Sequence, residues 1–337
     1  MKIALDAMGG DFGPKVTVEG ALRAAGDFGV DILLVGIEPL IKKECDRLSA
    51  KTGRLTIIDA PEAIGMGEGL HTFRKKKASS IRVGAQLVKD GEAEAFVSMG
   101  NTGAVVYISR EVLGALPGVD RPALALLVPG VAGPTLLIDV GANANCRPNN
   151  LVQFAIMGKI FMEAIMGLAS PRVGLMSIGE EKSKGNDLVR ETFERLQVSP
   201  LNFIGNVEGK DLFSGAADVV VSDGFTGNVA LKVSEGVVES VTSMARHEIT
   251  KNIFAKIGYM MLKRHLKKIF KKVDYSEYGG AQLLGVDGVC VIGHGRSNPT
   301  AVRNAVRRAQ ESVANKVQEL IQNEILRYEQ ALKGAGA

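Results

Sequence analysis

One pattern constrains this chain more than any other feature. Short apolar runs end in loops of Gly, Asn and Asp, and a helical pattern follows each loop; six such runs lie at residues 3–5, 95–97, 136–140, 173–178, 219–221 and 289–292. Continuous apolar runs that alternate with helices are typical of a mostly parallel sheet covered by helices on both faces. We therefore expect a three-layer αβα fold that binds its ligand beside the carboxyl ends of the strands.

The positions of Pro and Gly predict where individual strands, loops and helices begin and end. The uncharged stretch 122–138 is broken by Pro129, Gly130, Gly133 and Pro134, which predicts two core strands around a turn and argues against a membrane span. Residues 222–228 (SDGFTGN) are expected to form a loop, and residues 300–332 one long helix. No linker or repeat divides the chain, so we expect one α/β catalytic domain over 1–337, with room for two lobes.

Composition excludes several classes of protein. Hydrophobic residues make up 46% and charged residues 23% of the 337 positions, which is ordinary for a folded globular chain. Aromatics are only 5% with no Trp, which argues against a nucleic-acid binder that stacks bases. The three cysteines, Cys45, Cys146 and Cys290, are few and far apart, so we expect no disulfides and a cytoplasmic location. Cys45 and Cys290 fit core positions, and Cys146 has no evident base that would make it a nucleophile.

The net charge of +4 is unevenly distributed. Residues 251–272 hold eight Lys and Arg with no acid, and without them the rest of the chain carries −4. Basic pairs recur every four residues opposite an apolar face, as in helices that lie on anionic membrane surfaces. We predict a basic amphipathic helical protrusion over 240–275, associated with the inner face of the membrane through Ile257, Met261, Leu262, Lys263, Leu266, Lys267 and Phe270. Pairing with a second copy in a homodimer is the alternative, and both can hold.

Motifs for several kinds of chemistry are absent. The chain lacks a Walker loop, a GxGxxG that opens a helix, a GxSxG elbow and an HExxH pair, and its four His have no ligand spacing. We therefore expect no metal and no cofactor. What remains is a set of loops that place backbone N–H groups at helix amino termini, which suits phosphate.

Nine ordered motifs carry a family resemblance. They are DAMGGD (6–11), FRKKKASS (73–80), GNTGA (100–104), RPAL (121–124), DVGAN (139–143), GEEKSKGN (179–186), SDGFTGNVALK (222–232), YGGAQLLGV (278–286) and HGRSN (294–298). In this order they resemble the PlsX-type phosphate acyltransferases over nearly the whole chain. Met99 and Gln282 stand where that family more often has a small residue and Pro.

The resemblance implies a reaction and a fold. The reaction transfers the acyl chain of acyl carrier protein to inorganic phosphate, giving acyl phosphate for phospholipid synthesis. The fold resembles that of isocitrate and isopropylmalate dehydrogenases. A thioester is already activated and phosphate is itself a nucleophile, so the site must hold a dianion and stabilise an oxyanion, without a covalent intermediate.

These needs lead to hypotheses for individual residues. Asn101, Thr102 and Gly103 would bind phosphate, with Lys184 and Lys232 supplying positive charge. Asn143 and Asn228 would donate to the oxyanion or to the pantetheine amides. His294 would protonate the departing sulfur, unless it only completes a turn. The remaining candidates would orient these donors, cap helices or contact phosphate: Asp6, Gly9, Gly10, Asp11 and Asp223.

The run Arg74, Lys75, Lys76 and Lys77 has two interpretations. It is either a docking patch for the acidic carrier protein or a solvated face. Three other functions stay open: a phosphotransacetylase-like enzyme acting on acyl-CoA, a decarboxylating dehydrogenase with this fold, and a non-catalytic membrane adaptor. No nucleic-acid partner is expected.

Overall fold

The computed structural model describes residues 1–50, 53–273 and 277–335; the side chains of residues 253, 265–273 and 332–335 are outside the description. The strands are β1 (Lys2–Asp6), β2 (Asp31–Gly36), β3 (Leu55–Asp59), β4 (Ala95–Ser98), β5 (Ala123–Val128), β6 (Thr135–Ile138), β7 (Val173–Met176), β8 (Phe203–Val207), β9 (Val219–Val221), β10 (Ala281–Leu284) and β11 (Val289–Ile292). The helices are α1 (Pro14–Phe28), α2 (Glu38–Arg47), α3 (Leu70–Lys75), α4 (Ser80–Lys89), α5 (Thr102–Leu113), α6 (Pro148–Met166), α7 (Asp187–Gln197), α8 (Asp211–Ser214), α9 (Gly224–Lys251), α10 (Ile253–Val273), α11 (Pro299–Ala314) and α12 (Val317–Ala335).

The described strands form one sheet in the order β3-β2-β1-β4-β11-β10-β5-β6-β9-β7-β8. Its strand pairs are parallel except for β11–β10, β10–β5 and β5–β6. Helices cover both faces: Ile3 and Leu5 belong to the core beneath α1 and α11, and Ala4 belongs to the core beneath α4 and α5. The expected fold class, a mostly parallel three-layer αβα sheet, is confirmed.

The three antiparallel pairs reverse the sheet. The strands from β3 to β11 run one way, and β6, β9, β7 and β8 run the other way. The carboxyl ends of β4 and β11 therefore lie at one edge, and those of β6 and β9 lie at the opposite edge. The two strands predicted within 122–138 are β5 and β6, which are antiparallel, with Val128 opposite Thr135.

The prediction of one helix over 300–332 is wrong. The chain breaks after α11, where Lys316 takes a left-handed backbone with φ of 52°. The two halves pack in different places: Val302 and Val306 join the core beside α1, whereas Ile321 and Ile325 join the core beside α6. A single straight helix could not reach both cores, because its apolar residues would point along one stripe.

The prediction of a loop over 222–228 is also wrong, because α9 begins at Gly224 and Asp223 is its N-cap. A Cβ on Gly227 would lie 2.0 Å from the carbonyl oxygen of Asp139. The glycine therefore lets the first turn of α9 rest directly on the loop that follows β6, which places α9 beside the sheet's centre.

The range 240–275 covers the second half of α9 and all of α10, and its residues 274 and 275 lie outside the described residues. The chain turns between the two helices at Asn252, whose φ of −126° and ψ of 136° are extended. Gly258 lies inside α10.

Replacing Gly227 by Ala should weaken the packing of α9 on the β6 loop. We expect the free energy of unfolding to fall by about 1–3 kcal/mol, since the added methyl group overpacks against backbone atoms. Gly236→Ala is the matched control, because a Cβ there would meet no atom within 4 Å. It should stabilise the same helix by about 0.5–1 kcal/mol. Denaturant unfolding measures the free energy of unfolding of both variants. Equal changes in the two would contradict the close packing of α9 on the β6 loop at Gly227.

Candidate active site

A cleft of about 280 Å³ lies over the short strands at the reversal. Its floor includes Leu124 and Leu126 of β5, which point to the same face of the sheet. A strand of four residues such as β10 spans only about 13 Å. Helices that start from opposite edges can therefore face each other across the floor, and the cleft is lined on its two sides by α5 and α9.

At the amino terminus of α5, the N–H groups of Thr102 and Gly103 have no hydrogen-bond partner among the described residues. Asn101 is the N-cap, and its Oδ1 accepts from the N–H of Ala104 at 3.1 Å. Its Nδ2 donates to the carbonyl oxygens of Met66 (2.8 Å) and Glu68 (3.1 Å). The Asn101 side chain is thus engaged within the protein. The first two N–H groups of the helix, those of Thr102 and Gly103, belong to residues that line the cleft.

The amino terminus of α9 differs, because its own N–H groups are already bonded. Gly224 donates to the carbonyl of Asn143 at 2.8 Å, and Phe225 and Thr226 donate to Asp223 Oδ1 at 3.0 and 2.9 Å. Of the two helices that meet at the cleft, α5 is therefore the one with donors left for an anion.

The first turns of α9 contribute side chains to the cleft instead. Asn228 lies beside Gly141, and both line the cavity. Lys232, one turn further on, is 58% exposed and pairs with Glu235 at 2.8 Å. The two charges face the α5 terminus from the opposite wall, and the flexible ammonium can exchange its partner for an incoming anion.

His294 follows β11 and closes the cleft beside Lys232 and Glu235. Its Nδ1 accepts from the backbone N–H of Arg296 at 3.1 Å. Burial lowers the pKa of His294, and the positive charges of Lys232 and Arg296 lower it further. The negative charges of Glu235 and Asp11 oppose this shift. The ring is therefore neutral at pH 7 with its hydrogen on Nε2, which makes it a hydrogen-bond donor.

Asp139 organises the β6 side of the cleft. The buried carboxylate accepts from the backbone N–H groups of Leu124, Gly141, Ala142 and Asn143 and from Asn143 Nδ2, all at 2.7–3.1 Å. Burial raises the pKa of Asp139, and these donors oppose the rise. Asn143 is itself buried and also donates to the carbonyl of Pro122 at 2.7 Å, so its amide lies under the loop and outside the cleft lining.

Asp6 has an equivalent position under the β1 and β4 loops. It is buried, accepts from Met8 N–H at 3.0 Å and from Ser98 Oγ at 2.6 Å, and burial raises its pKa. A Cβ on Gly9 would lie 2.7 Å from both Asp6 Oδ2 and the Gly100 nitrogen. Gly10, with φ of 85°, approaches the carbonyl of Gly295. These residues join three loops and do not line the cleft.

The other predicted charges are dispersed. Asp11 is exposed, and its N–H donates to the Gly295 carbonyl. Lys184 is exposed in the loop after β7, which β9 separates from β6, and it does not line the cleft. The nearby α7 terminus already holds an acid, Asp187, in its first turn.

Arg74 and Lys75 end α3 and Lys76 and Lys77 follow it, next to the amino terminus of α5, where Phe73 approaches Gly103. Arg74 Nε donates to the Tyr107 hydroxyl at 3.1 Å, Lys76 pairs with Glu68 at 2.9 Å, and Lys77 pairs with Glu111 at 3.6 Å. Much of the run's charge is thus partnered locally.

The cysteines are not poised for nucleophilic chemistry. Burial raises the pKa of Cys146 to about 11 and that of Cys290 to about 12. Cys146 donates weakly to the carbonyl of Asn143 at 3.5 Å. Because the thiolate is the nucleophile, these thiols are unreactive at neutral pH.

The start of α10 exposes apolar side chains. Ile257 is 45%, Met261 79% and Leu262 56% exposed. Lys263 lies beside them and is also exposed. The side chains of Leu266, Lys267 and Phe270 lie outside those that the structure describes. Within the described ranges, no helix is both long and apolar enough to span a bilayer.

Solved structures share this architecture. A phosphotransacetylase from Streptococcus pyogenes superposes with a TM-score of 0.60 at 19% identity, covering 95% of this chain and 94% of that one. EutD phosphotransacetylase from Staphylococcus aureus gives 0.58 at 16% identity, covering 93% and 94%. A 4-hydroxythreonine-4-phosphate dehydrogenase from Klebsiella pneumoniae gives 0.51 at 11% identity, covering 93% and 99%. The fold is therefore that of the phosphotransacetylase and dehydrogenase class, with its cleft at the reversal of the sheet.

Sequence comparison identifies the family within that class. Residues 1–320 match the model of the fatty acid synthesis protein family, FA_synthesis, and the chain belongs to it. Phosphate acyltransferase from Geotalea uraniireducens is 48% identical over 338 residues, covering 99% of this chain and 98% of the relative. That from Pelotomaculum thermopropionicum is 47% identical, covering 100% and 98%. The family resemblance and the expectation of an acyltransferase are confirmed.

Sequence reasoning missed three contributors to the site. Glu235 could have been found, because it stands three residues after Lys232 on a helix, where the two side chains meet. Asp139 could also have been found, because an acid at the end of an apolar run, followed by the loop residues Gly141, Ala142 and Asn143, is placed to accept hydrogen bonds from the backbone N–H groups of that loop. Leu231 lines the cleft beside Lys232 and carries no sequence signal beyond hydrophobicity.

We predict that His294 titrates below the ordinary histidine pKa of about 6.5. As pH falls through this lowered pKa, Nδ1 gains a proton and can no longer accept the hydrogen bond from the Arg296 N–H. Two N–H donors would then face each other, which disfavours protonation. NMR titration of the folded protein, with His294→Gln to assign the signal, measures the midpoint. The same chain unfolded in urea should return to about 6.5; a folded midpoint at or above that value would contradict the assignment.

Proposed function

We propose that the protein transfers the acyl chain of acyl carrier protein to inorganic phosphate, giving acyl phosphate and the free carrier thiol. The observation that carries the proposal is the cleft itself. The N–H groups of Thr102 and Gly103, which have no partner among the described residues, face Lys232 and a neutral His294 across a space large enough for phosphate and a thioester. The family membership supports phosphate as the acceptor.

Phosphate would bind at Thr102 and Gly103. Their N–H groups and the positive end of the α5 dipole favour a dianion, and Lys232 can turn from Glu235 to a phosphate oxygen. Binding would hold one oxygen close to the thioester carbonyl, so that attack becomes effectively unimolecular. Attack forms the C–O bond and moves the carbonyl electron pair onto oxygen; collapse expels the thiolate and leaves an acyl phosphate.

The developing oxyanion needs donors that are in place before reaction. Asn228 and the Nε2–H of His294 both line the cleft and are suited to this role. A neutral histidine donates a hydrogen bond without giving up its proton, as in enzymes that polarise a carbonyl with neutral imidazole. The thiolate is a weak base, with a thiol pKa of about 8.5, so it can leave before it is protonated from solvent.

The donor is proposed to be a carrier protein because basic residues lie at the end of α3, next to the α5 terminus that lines the cleft. Lys75 and Arg74 are exposed on α3, beside the α5 terminus. Lys76 and Lys77 are paired with Glu68 and Glu111. We therefore propose that the basic residues 74–77 attract an acidic partner together. Acyl-CoA is the alternative donor, since it presents the same thioester on a smaller anionic body.

We also propose a cytoplasmic enzyme that rests on the inner face of the membrane through α10. Exposed Ile257, Met261 and Leu262 lie next to Lys256 and Lys263, which is the composition of a surface-binding helix. Each basic residue near an anionic leaflet contributes about 1 kcal/mol. A homodimer that buries part of α9 or α10 is compatible with this placement.

Activity is tested by following free thiol released from acyl carrier protein with and without phosphate. We expect release that requires phosphate. Asn101→Ala should lower kcat/KM about 10²-fold or more, because it removes the N-cap of α5 and the bonds from Asn101 to the carbonyl oxygens of Met66 and Glu68. Asn186→Ala is the matched control, since it removes the same N-cap bond from α7, away from the cleft. Both should lose about 1 kcal/mol of stability.

Several outcomes would count against the proposal. Release that ignores phosphate indicates a thioesterase, and the absence of release favours a dehydrogenase or an adaptor. Faster turnover with acyl-CoA than with the carrier protein would replace the proposed donor. Equal kinetic losses in Asn101→Ala and Asn186→Ala would remove the α5 terminus from the mechanism.

Membrane association is tested by pelleting with anionic vesicles at low and high salt. We expect the wild type to pellet, salt to reduce the bound fraction, and Leu262→Glu to release most of it, since it buries a charge in the interface. Leu320→Glu alters an exposed leucine of α12 and should bind normally. Failure of the wild type to bind, or equal loss in both variants, would contradict the assignment to α10.

A further inference from the structure

A second, apolar pocket opens from the cleft between α9 and β5. It has a volume of about 160 Å³ and shares Leu126, Leu231, Glu235 and His294 with the cleft. Its remaining apolar wall includes Val128, Phe213 and Val238. Because the two cavities share walls, a flexible molecule held in the cleft can extend into the pocket without leaving the protein surface.

The polar groups on the pocket rim already have partners. Before phosphate draws Lys232 away, Glu235 pairs with that lysine, and Glu239 pairs with Arg296 at 3.4 Å. Ser234 Oγ donates to the carbonyl of Ala230 at 2.7 Å. A polar occupant would have to compete with these bonds, whereas a hydrocarbon needs none of them. The chemistry of the lining therefore favours an alkyl chain.

We propose that this pocket receives the first carbons of the acyl chain whose thioester carbonyl lies in the cleft, an inference that rests on the proposed function. A dry cavity of about 150 Å³ holds benzene, so the pocket accommodates about six carbons. Longer chains continue past Val238, which lines the pocket but not the cleft and is 45% exposed. Val238 lies two helical turns, or about 10 Å, beyond Leu231 along α9. It is thus a specificity-determining position for chain length.

Val238→Phe tests the pocket, because a phenyl ring there would fill the far end. The readout is phosphate-dependent thiol release from carrier protein loaded with a four-carbon or a sixteen-carbon chain, expressed as the ratio of kcat/KM for the long to the short donor. Each methylene excluded from an apolar site costs about fourfold. We expect Val238→Phe to lower the ratio at least tenfold while the short donor reacts normally, which also shows that the variant is folded.

Val237→Phe is the matched control. Val237 is the preceding residue of α9, is 57% exposed and does not line the pocket, so its ratio should stay within about twofold of the wild type. An active wild type with an unchanged ratio in Val238→Phe, or an equal fall in both variants, overturns the pocket and leaves the proposed function standing. A wild type that releases no thiol in response to phosphate overturns both.

Discussion

The site depends on the reversal of strand direction at β10, β5 and β6. A parallel sheet aligns all of its helix amino termini along one edge, where they point away from the sheet side by side. Here two parallel halves run in opposite directions and meet in three antiparallel pairs. The helix after β4 and the helix after β9 therefore approach from opposite edges, and the short strands between them form a floor that both can reach.

Two buried carboxylates hold the loops at this floor. Asp139 collects five N–H bonds from the β6 loop and its surroundings, and Asp6 joins the ends of β1 and β4 through Ser98. Burial raises the pKa of each, and the donors around it counter that rise. Removing Asp139 would leave several N–H groups without an acceptor, and removing Asp6 would do the same to the Met8 N–H and the Ser98 hydroxyl; each loss costs more than the bonds themselves contribute. These acids position the site and do not line it.

The sequence predicts the parts of this site better than their arrangement. Thr102, Gly103, Asn228, Lys232 and His294 follow strand ends, and all of them line the cleft. Asn101, Asn143 and Lys184 have equally suitable chemistry. However, the Asn101 side chain caps α5, that of Asn143 is buried, and Lys184 is exposed away from the cleft. The difference arises from long-range pairing, which local patterns do not encode. The break at Lys316 and the start of α9 at Gly224 escape prediction for the same reason, since each depends on which core the following helix joins.

Helix α9 connects the parts that the proposed function requires. Its first turns supply Asn228 and Lys232 to the cleft, Leu231 and Val238 line the apolar pocket, and its carboxyl end leads through Asn252 into the exposed apolar start of α10. An acyl chain that leaves the pocket beside Val238 would therefore continue along the helix that leads toward the proposed membrane-binding surface. Exposed Val241 and Met244 follow on the same helix, so a hydrocarbon there meets apolar side chains before it meets lipid. Placing the chain on α9 and the anchor on α10, the helix that follows it, would let the product reach the bilayer without exposing the whole chain to water, and the cost of that exposure rises with every methylene.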